Sequence, residues 1–171
     1  MKNKVAVCPG SVRKPVPGDP NRYFNTLLFF TPHGEVSEYD KIFLYEAIMP
    51  DKTYEESKYC APGDEIETTD YKGLKIGFSI CFDLRFPEVF RALKKKGADV
   101  VLLPSAFTVP TGLAHWETLV RARAIENQCF VIAPDLTGTS GDGAKVYGHS
   151  IAVNPWGDIL ESFKTEVQKI W

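Results

Sequence analysis

The sequence predicts a single α/β domain, and two kinds of pattern carry that prediction. Apolar runs of strand length alternate along the chain with two longer stretches of helical periodicity. Turns bearing Gly and Pro separate them, with no internal repeat and no low-complexity tract. The 171 residues suit one domain of ordinary size, and 44% hydrophobic with 25% charged residues is the composition of a soluble globular protein.

Taken in order, Val5 to Cys8 reads as a short apolar strand. Gly10-Ser11 then leads into a Pro-rich polar loop with Pro15, Pro17, Gly18, Asp19 and Pro20. Tyr23 to Phe30, rich in aromatic and branched residues, reads as a strand, and Thr31-Pro-His-Gly34 turns it into a second, Glu35 to Phe43. Tyr45 to Glu65 has no clear periodicity and carries Pro50, Pro62 and Gly63, so it is expected to be a long ordered loop with at most one short helix. Asp70-Tyr-Lys-Gly73 is a turn before the strand Leu74 to Ile80. Pro87 and Glu88 suit a helix start, one by its preset φ and the other by its charge near the dipole. That helix carries Val89, Phe90 and Leu93 and stops at Gly97. Ala98 to Leu103 is a buried strand, Ser105 to Thr111 a loop, and His115 to Gln128 a helix with Trp116, Leu119, Val120 and Ala124 on its core side. Phe130 to Ala133 is a strand and Gly138 to Gly148 a glycine-punctuated loop. Ser150 to Val153 and Ile159 to Phe163 form a hairpin around Asn154-Pro-Trp-Gly157. The residues from Thr165 to Trp171 end without a clear structural stop.

Several function classes are disfavoured. Net charge is −2 without a basic stripe, which argues against nucleic acid as a partner. No apolar run has membrane-spanning length, and the stretch after Met1 is too short for a signal peptide, so the chain reads as cytoplasmic. Cys8, Cys60, Cys81 and Cys129 show no CxxC spacing, and His33, His115 and His149 lie far apart, so no metal site is expected. Four free thiols follow, at least three of them expected to be buried as small hydrophobes.

Cys81 differs from the rest. It ends the apolar strand Leu74 to Ile80 just before a helix, where backbone N–H groups and the dipole would favour a thiolate. This is a nucleophile elbow in cysteine form.

The segment Gly77-Phe-Ser-Ile-Cys-Phe-Asp-Leu-Arg-Phe-Pro-Glu88 resembles the nucleophile segment of the nitrilase superfamily of carbon–nitrogen hydrolases. Tyr39-Asp-Lys-Ile-Phe-Leu44 resembles its catalytic-lysine segment, followed by Tyr54-Glu-Glu-Ser57 and Pro62-Gly63. The resemblance continues through 104–112, His115-Trp116, 121–129, Tyr147-Gly-His-Ser150 and Asn154-Pro-Trp-Gly157. It covers nearly the whole chain with the segments in the family's order, and the wording is nearest to Nit-type amidases, the omega-amidase and deaminated glutathione amidase group.

The resemblance implies a partial four-layer αββα sandwich with a Glu-Lys-Cys triad. Cys81 would attack a small linear amide, expected to belong to a carboxylate-bearing metabolite. A thioester would form, ammonia would leave, and water would release the acid. Lys41 and the Phe82 N–H would stabilise the oxyanion. Glu56 falls on a second glutamate of the family that positions the lysine or the substrate. Arg85 and Phe107 are candidate substrate-binding residues, although Arg85 could equally pair with Asp83 or Glu88. No cofactor is implied, and the partners expected are an amide substrate and further copies of the chain in a homo-oligomer. His115 and His149 are expected to pack rather than to transfer protons. Arg121, Arg123 and Glu126 are expected to form a structural ion-pair network.

The departures also matter. The family's general-base glutamate lies upstream of the Gly-Ser loop, yet Met1 stands nine residues before Gly10. Residues 1–171 are therefore expected to be one incomplete carbon–nitrogen hydrolase domain, lacking an N-terminal strand and helix segment and a C-terminal tail. Around Pro134-Asp-Leu136 relatives usually carry small residues and an amide, so the substrate wall is expected to differ. Two alternatives stay open: a true nitrilase, and a non-catalytic remnant that binds a ligand or partner.

Overall fold

The computed structural model describes residues 4–49, 53–140 and 143–163. Pro50 and the stretch from Thr165 to Trp171 lie outside them.

Strands β1 (Ser11–Val16) and β2 (Asp19–Phe30) form a hairpin, and β3 (Val36–Asp40) pairs antiparallel with β2 on its other side. The Pro-rich stretch expected to be a loop is thus mostly strand. Pro15 is tolerated because β1 is an edge strand, where a missing N–H breaks no ladder, and Gly18 supplies the left-handed turn at φ +78°. Val5 to Cys8, expected as a strand, contributes only the bridge from Val7 to Phe30. The expected loop from Tyr45 to Glu65 holds a small hairpin, β4 (Glu46–Ile48) with β5 (Thr53–Glu55), then a 3-10 turn at Glu56–Lys58. Next comes β6 (Cys60–Ala61), which lies parallel to β2. Three-residue, half-exposed strands leave no periodic signal, so sequence patterning passes over them.

A six-stranded sheet forms the centre. β7 (Thr68–Tyr71), whose last residues were expected in a turn, precedes β8 (Leu74–Phe78). Helix α1 (Pro87–Lys95) leads to β9 (Val100–Leu102), and helix α2 (Val109–Asn127) leads to β10 (Phe130–Ala133). β8, β9 and β10 run parallel, the arrangement that helical crossovers impose. The hairpin β11 (Thr137–Thr139) and β12 (Lys145–Tyr147) occupies part of the expected glycine-rich loop. β13 (Ser150–Val153) and β14 (Ile159–Phe163) complete the order β14-β13-β10-β9-β8-β7.

Helix α2 begins six residues before the expected His115: the extended Thr108 precedes it without a side-chain cap, and Pro110 sits in its first turn. Gly112 lies inside this helix. It is needed for close approach, since a Cβ there would stand 2.1 Å from the Tyr147 ring. Gly77 serves α1 in the same way, with Leu93 3.0 Å from where its Cβ would be.

Two cores define the layers. Leu93 and Phe90 of α1 and Trp116 and Val120 of α2 pack with Val101 and Val131 on one face of the large sheet. On the other face, Ile76, Phe78 and Val100 pack against Leu27, Phe29 and Tyr39 of the small sheet. The class is α/β with mixed sheets and two main helices, consistent with the expected αββα order. Among the described residues no helix is long and apolar enough to cross a membrane.

Candidate active site

The three parallel strands end side by side, and the segments that leave them line one cavity of about 550 Å³. Cys81 follows β8, Ser105 follows β9, and Asp135 follows β10. Carboxyl ends of parallel strands are the usual place for ligands in open α/β sheets.

Cys81 opens a 3-10 turn, Cys81–Arg85, with φ +47°, a left-handed backbone that a non-glycine residue holds only under constraint. The constraint is visible. Its N–H donates to Pro104 O at 3.0 Å, and the fully buried Asp83 braces the turn by accepting the Ile80 N–H at 2.8 Å. Asp83 also accepts the Tyr39 hydroxyl at 2.8 Å and the Phe43 N–H at 2.9 Å, which ties the elbow to β3 and the segment after it. Burial holds the Asp83 carboxyl above its ordinary value, and these donors and the Lys41 charge offset only part of that rise.

Lys41 follows β3 and is 2% exposed. Its Nζ lies 2.6 Å from Glu56 Oε2, and the Tyr45 N–H donates to that same oxygen at 2.5 Å. Burial pulls the Lys41 ammonium down, but the charges of Cys81 and Glu56 outweigh it and hold the lysine above its ordinary value. Lys41, Glu56 and Cys81 all line the cavity, together with Cys8 and Tyr45.

The expected depression of the Cys81 thiol does not occur. Burial pushes it above the ordinary cysteine value, while Lys41 and a hydrogen bond from the Ala106 backbone pull it down without overcoming that effect. The elbow opens onto a tight turn rather than a long helix, since α1 starts only at Pro87, so dipole assistance is small.

Comparison with known proteins decides the family. A carbon–nitrogen hydrolase model matches residues 1–169. The chain belongs to the carbon–nitrogen hydrolase family. It is 41% identical over 162 residues to a deaminated glutathione amidase from Synechocystis, covering 92% of this chain and 59% of that protein. It is 37% identical over 150 residues to a human omega-amidase, covering 86% and 54%. Among solved structures, the Caenorhabditis elegans NitFhit protein is 41% identical with TM-score 0.87, covering 95% of this chain and 40% of that one. A Nesterenkonia amidase is 28% identical with TM-score 0.80, covering 96% and 61%. The carbon–nitrogen hydrolase chain thus spans 54% to 59% of these curated relatives.

Of the residues expected at the site, Cys81, Lys41 and Glu56 are brought together. Phe82 lies next to Cys81, its ring 5.1 Å from that of Tyr45. Arg85 pairs with neither Asp83 nor Glu88: its Nη2 lies 3.0 Å from His115 Nδ1, and the guanidinium stands over the Phe107 ring. Phe107 is buried against Trp116 in the helix-side core, and neither it nor Arg85 lines the cavity. His149 stacks on Tyr147. The expected ion-pair network has a different third member, because Arg91 rather than Arg121 joins Arg123 on Glu126, at 3.6 Å. Arg123 binds Glu126 at 2.9 Å and Leu84 O, whereas Arg121 reaches Gly157 O and Glu117. Two thiols, Cys60 and Cys129, are buried, fewer than expected, and Cys8 is half-buried in the cavity wall.

Sequence reading missed Asp135. It is 8% exposed, and burial pushes its carboxyl up to about 7, against the pull of the Phe107 and Leu136 N–H groups. The departure at Pro134-Asp-Leu136 was its only signal.

Proposed function

We propose that this carbon–nitrogen hydrolase cleaves small linear amides with Cys81 as nucleophile. The observation that carries this reading is the strained Cys81 turn opening into the cavity that the buried Lys41–Glu56 pair lines. Cys81 Sγ adds to the amide carbon, and the carbonyl oxygen takes up negative charge beside the Lys41 ammonium and the Phe82 N–H. Lys41 carries a full charge there because Cys81 and Glu56 hold it protonated. Glu56 acts as the positioning residue: its Oε2 is occupied by Lys41 and by the Tyr45 N–H, which fixes where the ammonium points. Collapse of the adduct breaks the C–N bond, the nitrogen leaves as ammonia with the proton that the Cys81 thiol gives up, and water then hydrolyses the thioester, releasing the acid and returning a proton to Cys81. The reading draws further support from a Nesterenkonia amidase of this fold, solved with acrylamide added at its active-site cysteine.

The test is ammonia release from a panel of short amides by this chain and by Cys81→Ala. Release by the parent chain that falls to background in Cys81→Ala is the expected result. Equal release by both would remove Cys81 from the reaction.

A further inference from the structure

Cys81 and Lys41 reach the cavity from different sheets. Cys81 follows β8 of the large sheet, and Lys41 follows β3 of the small one. An oxyanion held between thiol and ammonium needs those two segments in fixed register. The apolar packing that joins the sheets is non-directional, so the register calls for a directional tie.

The buried carboxyl of Asp83 makes such a tie. On the elbow side, Oδ2 accepts the Ile80 N–H at 2.8 Å, one residue before the nucleophile, and the Asp83 N–H returns a bond to Ile80 O at 3.0 Å. On the lysine side, Oδ2 accepts the Tyr39 hydroxyl at 2.8 Å and Oδ1 accepts the Phe43 N–H at 2.9 Å. Tyr39 and Phe43 stand two residues before and two residues after Lys41, so one carboxyl grips the chain on both sides of the lysine. The two N–H groups can only donate, so each oxygen must accept, as both oxygens of an ionised carboxylate do. The charges of Asp83 and Lys41 also act on each other. The elbow has a second anchor on its helix side: Leu84 O accepts Arg123 Nε at 3.0 Å and Nη2 at 2.8 Å. Arg123 thus holds the turn to α2, whereas Asp83 holds it to the lysine segment.

We infer that Asp83 is a positioning residue: by binding the chain at Tyr39, Phe43 and Ile80, it sets the Cys81 thiol and the Lys41 ammonium at the spacing where both meet one carbonyl group. The inference deepens the amidase reading above and rests on it for the role of Lys41. Misplacing an assisting group by about 1 Å can slow the assisted step about 100-fold. The loss falls on steps that build negative charge on oxygen beside Lys41 and spares steps that do not.

Two reagents separate positioning from general loosening. p-Nitrophenyl acetate acylates a thiol through an oxyanion: Sγ bonds the acetyl carbon, the C–O bond breaks, and p-nitrophenolate leaves. Iodoacetamide alkylates the same sulfur by displacing iodide, and no oxyanion forms. Both rates are followed at Cys81 by peptide mass mapping, in the full parent chain, Asp83→Asn and Tyr39→Phe. Asp83→Asn puts an NH2 where one oxygen stood, and it cannot accept from an N–H. Its acylation should fall about tenfold or more, with alkylation within about threefold of the parent. Tyr39→Phe keeps both N–H bonds and the packed ring and releases only the β3 side, so acylation should fall about threefold and alkylation should hold. Equal falls in both rates would overturn the inference. So would unchanged acylation in folded Asp83→Asn or, where that chain does not fold, in Tyr39→Phe. A split between the rates in a chain that releases no ammonia from amides would reject the amidase reading and keep the placement. Ammonia release without a split would reject the placement alone.

Discussion

The two walls of the cavity solve the problem of buried charge in opposite ways. The wall built by the segments around Lys41 and Glu56 pairs its charges: one ammonium, one carboxylate, and a backbone N–H on the shared oxygen. The wall built by the ends of β8, β9 and β10 leaves its ionisable groups short of partners. Cys81 and Asp135 are both pushed upward by burial, and Asp135 keeps one oxygen unbound. In the paired wall, mutual attraction offsets the cost of burying the charges. A wall whose ionisable groups lack partners favours their neutral forms, which is why both are raised.

The largest effect should come from breaking the paired wall. Lys41→Ala removes the cation at the proposed oxyanion and should lower turnover by roughly two to three orders of magnitude. It also leaves Glu56 without its partner, so chemical denaturation should show a loss of about 3–5 kcal/mol. Sequence alone suggests that removing this catalytic lysine would hardly disturb folding; its 2% exposure changes that expectation. Lys41→Ala/Glu56→Gln should recover most of the stability and none of the turnover. If turnover returned with stability, Lys41 would be a structural cation only.

The unpaired wall should respond in the other direction. Asp135→Asn removes a carboxyl that burial penalises, so the variant should be more stable than the parent, by up to about 4 kcal/mol at pH 8. The sign follows from the raised value. Below about pH 4 the carboxyl is protonated in both folded and unfolded chains, and no penalty exists. As pH rises the unfolded chain ionises first, and the parent loses stability until the folded carboxyl ionises near 7. Melting curves of the two chains should therefore converge in acid and separate between pH 4 and pH 7. A parallel offset at all pH values would mean that Asp135 acts through packing.

Much of this comparison was legible before any coordinates. The strands β8, β9 and β10, helix α1 and the β13–β14 hairpin follow from periodicity and turn residues, and the meeting of Cys81 with Lys41 follows from the family resemblance. The small hairpins β4–β5 and β11–β12 were not legible, because they are short and sparsely buried and so carry no alternation. The direction of the Cys81 shift was misread because an elbow announces nearby N–H groups but not how deeply the thiol is buried. Asp135 was missed for a related reason. Nothing in Pro134-Asp-Leu136 reveals that one carboxylate oxygen is enclosed and unbound. Its hydrogen-bond partners, Phe107 for Oδ1 and Ser150 for the backbone, come from 28 and 15 residues away.

The central claim, that Cys81 is the nucleophile, is tested most directly by limited iodoacetamide labelling with peptide mass mapping, followed against ammonia release. Cys8 is the informative competitor, since it lines the same cavity and its thiol is also raised by burial, but it lacks the Lys41 charge that lowers Cys81. Cys60 and Cys129 are buried and should label last. The account predicts that Cys81 is modified first, that its rate keeps rising with pH through the ordinary cysteine range, and that activity falls in proportion to its labelling. Modification of Cys8 while Cys81 stays intact, or activity that survives complete labelling of Cys81, would contradict it.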